Sequence, residues 1–393
     1  MIKLNKTKLK YITDFLSGFG FPDELQGTNE GEIPFLKVSD INGDEREVEV
    51  ANNYVSKKLA LSKSWKLIPP RSILMAKIGA ALSKNHRKIN KISVIIDNNM
   101  MAAVPKKIDY SFHYWLWRTI DLKDFQNISS VPSVDMTTLK DLFIQLPDLI
   151  QQKQIAYYLD QKVAKIDEAI TKKKQLINLL EEKRTITINN SIQNANGIKT
   201  KIKHVVKINP TTKNNFKFSE SASFIPMEAV SEDGVVNLQE RKIQNVISGY
   251  TYFEENDVVI AKITPCFENG KAAVMKGLVN GFGFGTTEFI ILRSGKKIMP
   301  EYLYYLIFSR HFRENGTNEM RGTAGQKRLT ESYVGHYSFN LPSRENQLKI
   351  IENIKNQLSI IDNAKDKLDE SVALLEEYKI SLISNAVTGR VKI

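Results

Sequence analysis

The stretch "LPDLIQQKQIAYYLDQKVAKIDEAITKKKQLINLLEEKRTITINNSI" (residues 146–192) decides the fold. After Leu146-Pro147 it contains neither proline nor glycine. Leu159, Val163, Ile166, Ile170, Ile177, Leu180 and Ile188 fall at steps of four and three, alternating as far as Arg184, and Lys173 and Arg184 hold the remaining positions of the same stripe. That spacing predicts a long helix with a heptad seam. Asp148, three residues ahead of Gln151, suits a helix N-cap. Roughly 40 residues of helix extend about 60 Å at 1.5 Å per residue. Alone, such a helix leaves its apolar stripe in water, so it requires a partner.

The chain supplies one, because it is written twice. "LPSRENQLKI" (341–350) answers "LPDLIQQKQI" (146–155), and from there the offset is locked at 195. Gln152 matches Gln347, Ile166-Asp167 matches Ile361-Asp362, and "LLEEKR" (179–184) matches "LLEEYK" (374–379). The second seam is Ile354, Leu358, Ile361, Leu368, Val372, Leu375 and Ile383, with Lys365 and Lys379 in line. Ser343, ahead of Asn346, is its N-cap. Upstream, "KTKLKYI" (6–12) recurs as "KTKIKHV" (199–205), and "SILMAKIG" (72–79) as "DVVIAKIT" (257–264). "KKI" at 106–108 recurs at 296–298 before an aromatic stretch, "YSFHYWLW" (110–117) or "EYLYYLIF" (301–308). There the offset wanders, so insertions collect in the first part of each unit and are absent from the helix. Short β-rich runs between Gly, Asn and Asp turns make that first part mixed α/β.

The expected fold class is therefore α+β. Two mixed α/β domains are joined by two long helices that form an antiparallel coiled coil, with an internal pseudo-two-fold repeat. Residues 1–147 and 197–342 are the domains; 148–196 and 343–393 are the helical spacers. Leu9 and Ile12, with Ile202 and Val205, anchor the first element of each domain. The aromatic stretches read as core faces of helices rather than as base-stacking platforms.

Charge points to the partner. Net charge is +12 and the sequence pI about 9.3, which favours a polyanion, nucleic acid before an anionic membrane. The basic residues cluster without acids at 199–217, in "SKNHRKINK" (83–91) and in "RGTAGQKR" (321–328). No apolar run is long enough to span a membrane, the first twenty residues lack a signal-peptide core, and the lone Cys266 fits a reducing cytoplasm.

No catalytic motif emerges. "CFENGK" lacks the first glycine and the Ser/Thr of a phosphate-binding loop, "NPTT" (209–212) lacks the residues of an amino-methyltransferase loop, and the histidines have no metal spacing. Pro147-Asp148 followed by Asp160-Gln161-Lys162 has the spacing of a metal nuclease, but a helix makes these side chains diverge.

The Leu-Pro plus Gln-x-x-Ile helix entry, the mid-helix Ile-Asp, the "LLEEKR"/"LLEEYK" block and the closing "ISLISNAVTGRVKI" (380–393) together resemble the specificity subunit of type I restriction-modification enzymes. So do "DVVIAKITPCFENGK" (257–271), "GTTEFIIL" (285–292) and "GTAGQKRLTESYV" (322–334) in the second domain. The first unit departs, with "SVPSVDMTTLKD" (130–141) in place of the last pattern. The resemblance implies a DNA-reading scaffold with no catalysis or cofactor of its own. Each domain reads half of a bipartite site on double-stranded DNA, and the helix pair sets the spacing. Two methyltransferase subunits carrying S-adenosylmethionine, and restriction (motor-nuclease) subunits, dock on it. It implies DNA contacts at Lys84, Asn85, Arg87 and Lys88 in the first domain. In the second they are Asn269, Lys271, Arg321, Gln326, Lys327 and Arg328. Two other classes stay open at this point: a stand-alone metal nuclease built on Asp148, Asp160 and Lys162, and a coiled-coil adaptor that binds no DNA.

Overall fold

The computed structural model describes residues 5–391 apart from 29, 44, 49–50, 128–130, 212–216, 218, 232–233, 235 and 324. Lys213 of the basic run at 199–217 lies outside the described residues. The chain divides into two compact units, Met1–Lys173 with Ser371–Ile393, and Lys174–Glu370. Each contains one α/β domain and one half of each long helix. The helices run Leu149–Gln193 and Arg344–Val387.

The two domains share one strand plan. In the first, a four-stranded sheet has the order Thr13–Ser17, Met100–Pro105, Ile73–Ala76, Lys88–Ile89. In the second the order is Val206–Ile208, Phe289–Ser294, Val258–Ala261, Ala272–Val274. Each domain adds a sheet containing one parallel pair, Ile33–Leu36 with Ile95–Ile96 and Ser221–Ile225 with Phe282–Gly285. Each domain also closes on itself through an antiparallel ribbon. Asn5–Lys8 pairs with Phe143–Leu146, and Ile198–Lys201 with Ser338–Leu341. The strand that enters a domain thus lies beside the one that leaves it for the helix. Behind the ribbons Leu9, Ile12, Ile202 and Val205 are buried, as the repeated heptapeptide implies.

The aromatic stretches form the helices Tyr110–Arg118 and Pro300–Phe308, whose rings fill the cores. Each long helix is locked to its aromatic helix by a buried glutamine. Gln152 Oε1 accepts from Asp109 N–H at 2.8 Å, and its Nε2 donates to the Pro147 carbonyl at 2.8 Å. Gln347 Oε1 accepts from Met299 N–H at 2.8 Å, while its Nε2 donates to the Lys297 and Pro342 carbonyls, both at 2.9 Å. The predicted caps form as well: Asp148 Oδ1 accepts from Gln151 N–H and Ser343 Oγ from Asn346 N–H. A second tie is Asp160. Its carboxylate accepts from Arg46 at 2.6 Å, Trp115 Nε1 at 2.7 Å and Ser111 Oγ at 3.2 Å. The supposed nuclease aspartate is a helix-to-domain anchor.

Within each unit the half-helices pack along the predicted seams. Leu159, Val163, Ile166 and Ile170 join Val372 and Leu375 in the first core, and Leu180 joins Ile354, Leu358 and Ile361 in the second. The cations in line with the seam take acids from the facing helix. Lys379 donates to Asp167 at 2.8 Å in the first unit; Arg184 pairs with Asp362 and Lys365 with Glu181 in the second. In the second unit the partner number falls as the residue number rises, so the half-helices are antiparallel. The Asp167–Lys379 and Asp362–Arg184 bridges are the same pair under the offset of 195. The repeated spelling "Ile-Asp … Glu-Glu-x-(Arg/Lys)" is therefore one bridge written twice. Ile177 and Leu368 are only half-buried, so the middle of each helix is its least covered part.

Removing a buried amide orphans its backbone partners, at about 1–3 kcal/mol per unsatisfied group. Gln347→Leu is expected to lower stability by about 2–4 kcal/mol in urea denaturation; a loss below about 1 kcal/mol contradicts the clamp. His113 gives a pH signature. Its Nε2 accepts from Trp117 Nε1–H at 2.9 Å and lies 2.8 Å from Thr13 Oγ1, so the neutral ring carries its proton on Nδ1. Burial lowers its pKa to about 3. The unfolded histidine binds a proton below its ordinary pKa near 6.5 while the folded one does not, so stability falls as pH drops from about 6.5 towards 3. His113→Gln is expected to flatten that slope between pH 7 and 5 in urea titrations; an unchanged slope assigns it elsewhere.

Candidate nucleic-acid interface

In the second domain the sequence-predicted residues converge. Arg321 and Arg328 close a hairpin through two backbone bonds, Arg321 N to Arg328 O at 3.0 Å and Arg328 N to Arg321 O at 2.8 Å. The hairpin is strapped to the segment after Val258–Ala261. Leu329 N donates to Lys262 O at 2.7 Å, and Thr264 N to Lys327 O at 3.1 Å. Arg321, Gln326, Lys327 and Arg328 are all exposed on this rigid frame. Asn269 lies on the adjoining turn and is exposed, whereas Lys271 is half-buried and donates to the Met227 carbonyl at 3.3 Å. Two participants escaped the sequence reading. Lys262, the shared lysine of Ala-Lys-Ile, sits under the hairpin. Glu288 takes Arg328 in a two-bond grip, Nε to Oε2 at 3.0 Å and Nη2 to Oε1 at 2.8 Å. The arginine holds the Glu288 carboxyl below its ordinary pKa.

The first domain has the same backbone frame. Val134 N donates to Lys77 O at 3.0 Å, and Gly79 N to Pro132 O at 2.7 Å. Lys77 N donates to Asn99 O at 2.8 Å, as Lys262 N does to Glu288 O at 2.9 Å. The side chains on the frame differ: Asn127, Pro132 and Ser133 stand where the second domain has Arg321, Lys327 and Arg328. The departure seen in "SVPSVDMTTLKD" is thus, among the described residues, a change of side chains on a frame that keeps its backbone bonds to the neighbouring strand.

The predicted contacts at Arg87 and Lys88 are corrected by burial. Both are about 95% covered, in line with or inside the strand Lys88–Ile89 at positions where the second domain has Ala272 and Ala273. Arg87 lies over the Trp117 ring and donates to the Ile120 carbonyl and Asn85 Oδ1; desolvation pushes its pKa down to about 9. Lys88 reaches Glu45 at 2.9 Å. Asn85 is half-buried in a left-handed conformation, its side chain accepting from Leu122 N–H and Arg87. A cluster that spells a charged loop is an interior strand and its approach. Lys84 alone of the four is exposed. Among the described residues, no three His, Cys, Asp or Glu gather as a metal set, and no helix is long and apolar enough to cross a membrane.

Comparison with known proteins agrees with the fold and with the motifs. A family model for the type I restriction modification DNA specificity domain matches residues 2–181. The specificity subunits of the type I restriction enzymes EcoEI and EcoAI from Escherichia coli are 38% and 39% identical over 135 and 155 residues. These matches cover 34% and 39% of this chain but 23% and 26% of the relatives, so the aligned part spans about a quarter of their length. Over the whole chain, a structure concerned with complex assembly and conformational transition of the type I R-M system superposes with a TM-score of 0.75 at 12% identity, covering 100% of both chains. The HsdS subunit from Thermoanaerobacter tengcongensis gives 0.57 at 14% identity, covering 99% of this chain and 97% of its own. Residues 2–181 are thus similar to that specificity domain, and the whole chain has the fold of two α/β domains joined by helices. Burial separates the four candidates of the first domain experimentally. Arg87→Ala is expected to cost about 2–3 kcal/mol in urea denaturation and Lys84→Ala less than about 0.5 kcal/mol; equal effects contradict the assignment.

Proposed function

We propose that the chain is the DNA-reading subunit of a type I restriction-modification complex, each domain reading one half of a bipartite double-stranded site. One observation carries this reading: the same hairpin frame recurs in both domains, with different side chains displayed on it. A fixed frame with exchangeable side chains suits two readers of different sequences. The specificity-domain match over residues 2–181 supports it independently.

On this reading, exposed cations such as Lys84, Arg321 and Lys327 hold phosphates, and the displayed side chains read base edges. The chain contributes recognition and no catalytic motif. S-adenosylmethionine and adenine methylation belong to two partner methyltransferase subunits, which flip the base out of the duplex. Restriction subunits join the same scaffold in the cytoplasm. The paired helices set the separation of the half-sites, because a helix of 45 residues does not change length without breaking its seam.

The ribbon that closes each domain makes it exchangeable as a cassette, since its entry and exit are adjacent strands. Exchanging residues 1–146 for those of a relative with another specificity is expected to change one half of the methylated motif, mapped across the host genome. A change in both halves, or in neither, refutes one-domain-one-half-site reading. Affinity for cognate duplex is expected to fall linearly in log–log with added salt; a salt-independent affinity restores the adaptor reading.

A further inference from the structure

The reading of the second domain as a half-site reader can be taken to one side chain, and this inference rests on that reading. A guanidinium offers two hydrogen-bonding edges. Glu288 occupies the edge formed by Nε and Nη2 of Arg328. The end formed by Nη1 and the second Nη2 proton remains outside the pair, and the side chain is 52% exposed.

Glu288 is itself fixed. It lies in the turn between Phe282–Gly285 and Phe289–Ser294, its N–H donates to Thr286 Oγ1 at 3.3 Å, and its carbonyl accepts from Lys262 N–H. Arg328 comes from the hairpin strapped to Lys262 and Thr264. Both partners therefore hang from one hydrogen-bonded frame, and the guanidinium loses little freedom when it meets an acceptor pair.

The first domain supplies an internal comparison. Its frame is bonded in the same way, down to the turn, where Asn99 N donates to Asp97 Oδ1 at 2.8 Å. The Ile78–Ser133 bridge stands for the Ile263–Arg328 bridge. Ser133 thus occupies the place of Arg328, and Asn99 that of Glu288. Arginine and glutamate are both absent together while the backbone is kept. A carboxylate needed by the frame has no reason to leave with the arginine; one that serves the arginine does.

We propose that Arg328, aimed by Glu288, reads a guanine in the half-site of the second domain, and that Ser133 with Asn99 forms the corresponding specificity position of the first. Arg328 is the contacting residue and Glu288 a positioning residue. The shape of the free edge favours a base. Glu288, which Lys262 also faces, offsets part of the guanidinium charge and leaves a two-donor fork that matches the N7 and O6 acceptors of guanine in the major groove.

The test selects from a randomised duplex library with the full chain, purified with the subunits that accompany it. The expected outcome for the natural chain is a bipartite motif containing a guanine in one half. Arg328→Ala is expected to lower preference for that guanine ~10-fold or more while every other position survives, which also reports a folded protein. Glu288→Gln is expected to weaken preference at the same base pair and to raise affinity for unrelated duplex, a rise that a merely structural ion pair does not predict. An unchanged motif in Arg328→Ala overturns the inference and leaves the DNA-reading function standing. So does an equal loss for all sequences, which marks a phosphate contact. Failure of the natural chain to select any duplex overturns both.

Discussion

The rest of each unit depends on one buried amide. Gln152 and Gln347 each bind the first turn of a long helix to the N-cap residue of the aromatic helix and to the proline that ends the last strand. Both groups of the amide are used, in a place that water does not reach. The long helix therefore leaves its domain in one direction. A salt bridge at this junction would be weaker as a constraint, because exposed ion pairs are worth about 0–1 kcal/mol and are screened by salt. The seam bridges have that lesser role: Lys379 with Asp167, and Arg184 with Asp362, choose the partner and register of half-helices whose packing comes from Leu and Ile.

The duplication separates scaffold from content. Ribbon, clamp, seam and hairpin frame are present in both copies. What differs lies on the frame: Ser133 against Arg328, Pro132 against Lys327, Asn127 against Arg321. Interior substitutions differ too where the frame allows it. His113 and Leu303 hold equivalent buried places in the aromatic helices, and Arg87-Lys88 faces Ala272-Ala273. In the first unit the longer polar side chains find partners within the domain, Trp117, Ile120 and Glu45 among them.

How far the sequence could be read follows from these particulars. Gln152, Gln347 and the Ile-Asp pairs stood out because an offset locked over tens of residues marks a structure that tolerates no insertion. The heptad seam was legible because 3.5-residue spacing has few other causes. "SKNHRKINK" misled because charge ordinarily means solvent; nothing local announces that Arg87 has an aromatic face and a carbonyl waiting 33 residues away. The anchoring role of Asp160 was not legible either, since its partners come from residues 46, 111 and 115. Glu288 was invisible because its importance is relational. Only the fold brings a turn at 286–288 against a hairpin 40 residues later.

The locked and wandering offsets have one physical origin. Adding a residue to a surface loop costs little, because closure entropy grows only with the logarithm of loop length. Adding one to a seam-packed helix turns everything beyond it by about 100° and advances it about 1.5 Å. Such an insertion removes Ile166 from its seam and parts Asp167 from Lys379 at once, so no small adjustment restores the pairing. The domains can therefore accept changes that remodel what they display, whereas the helices accept changes only in what they expose. Two domains that vary while the helices between them do not are what this partition of tolerance produces, and the two frames with different side chains show it already at work within one chain.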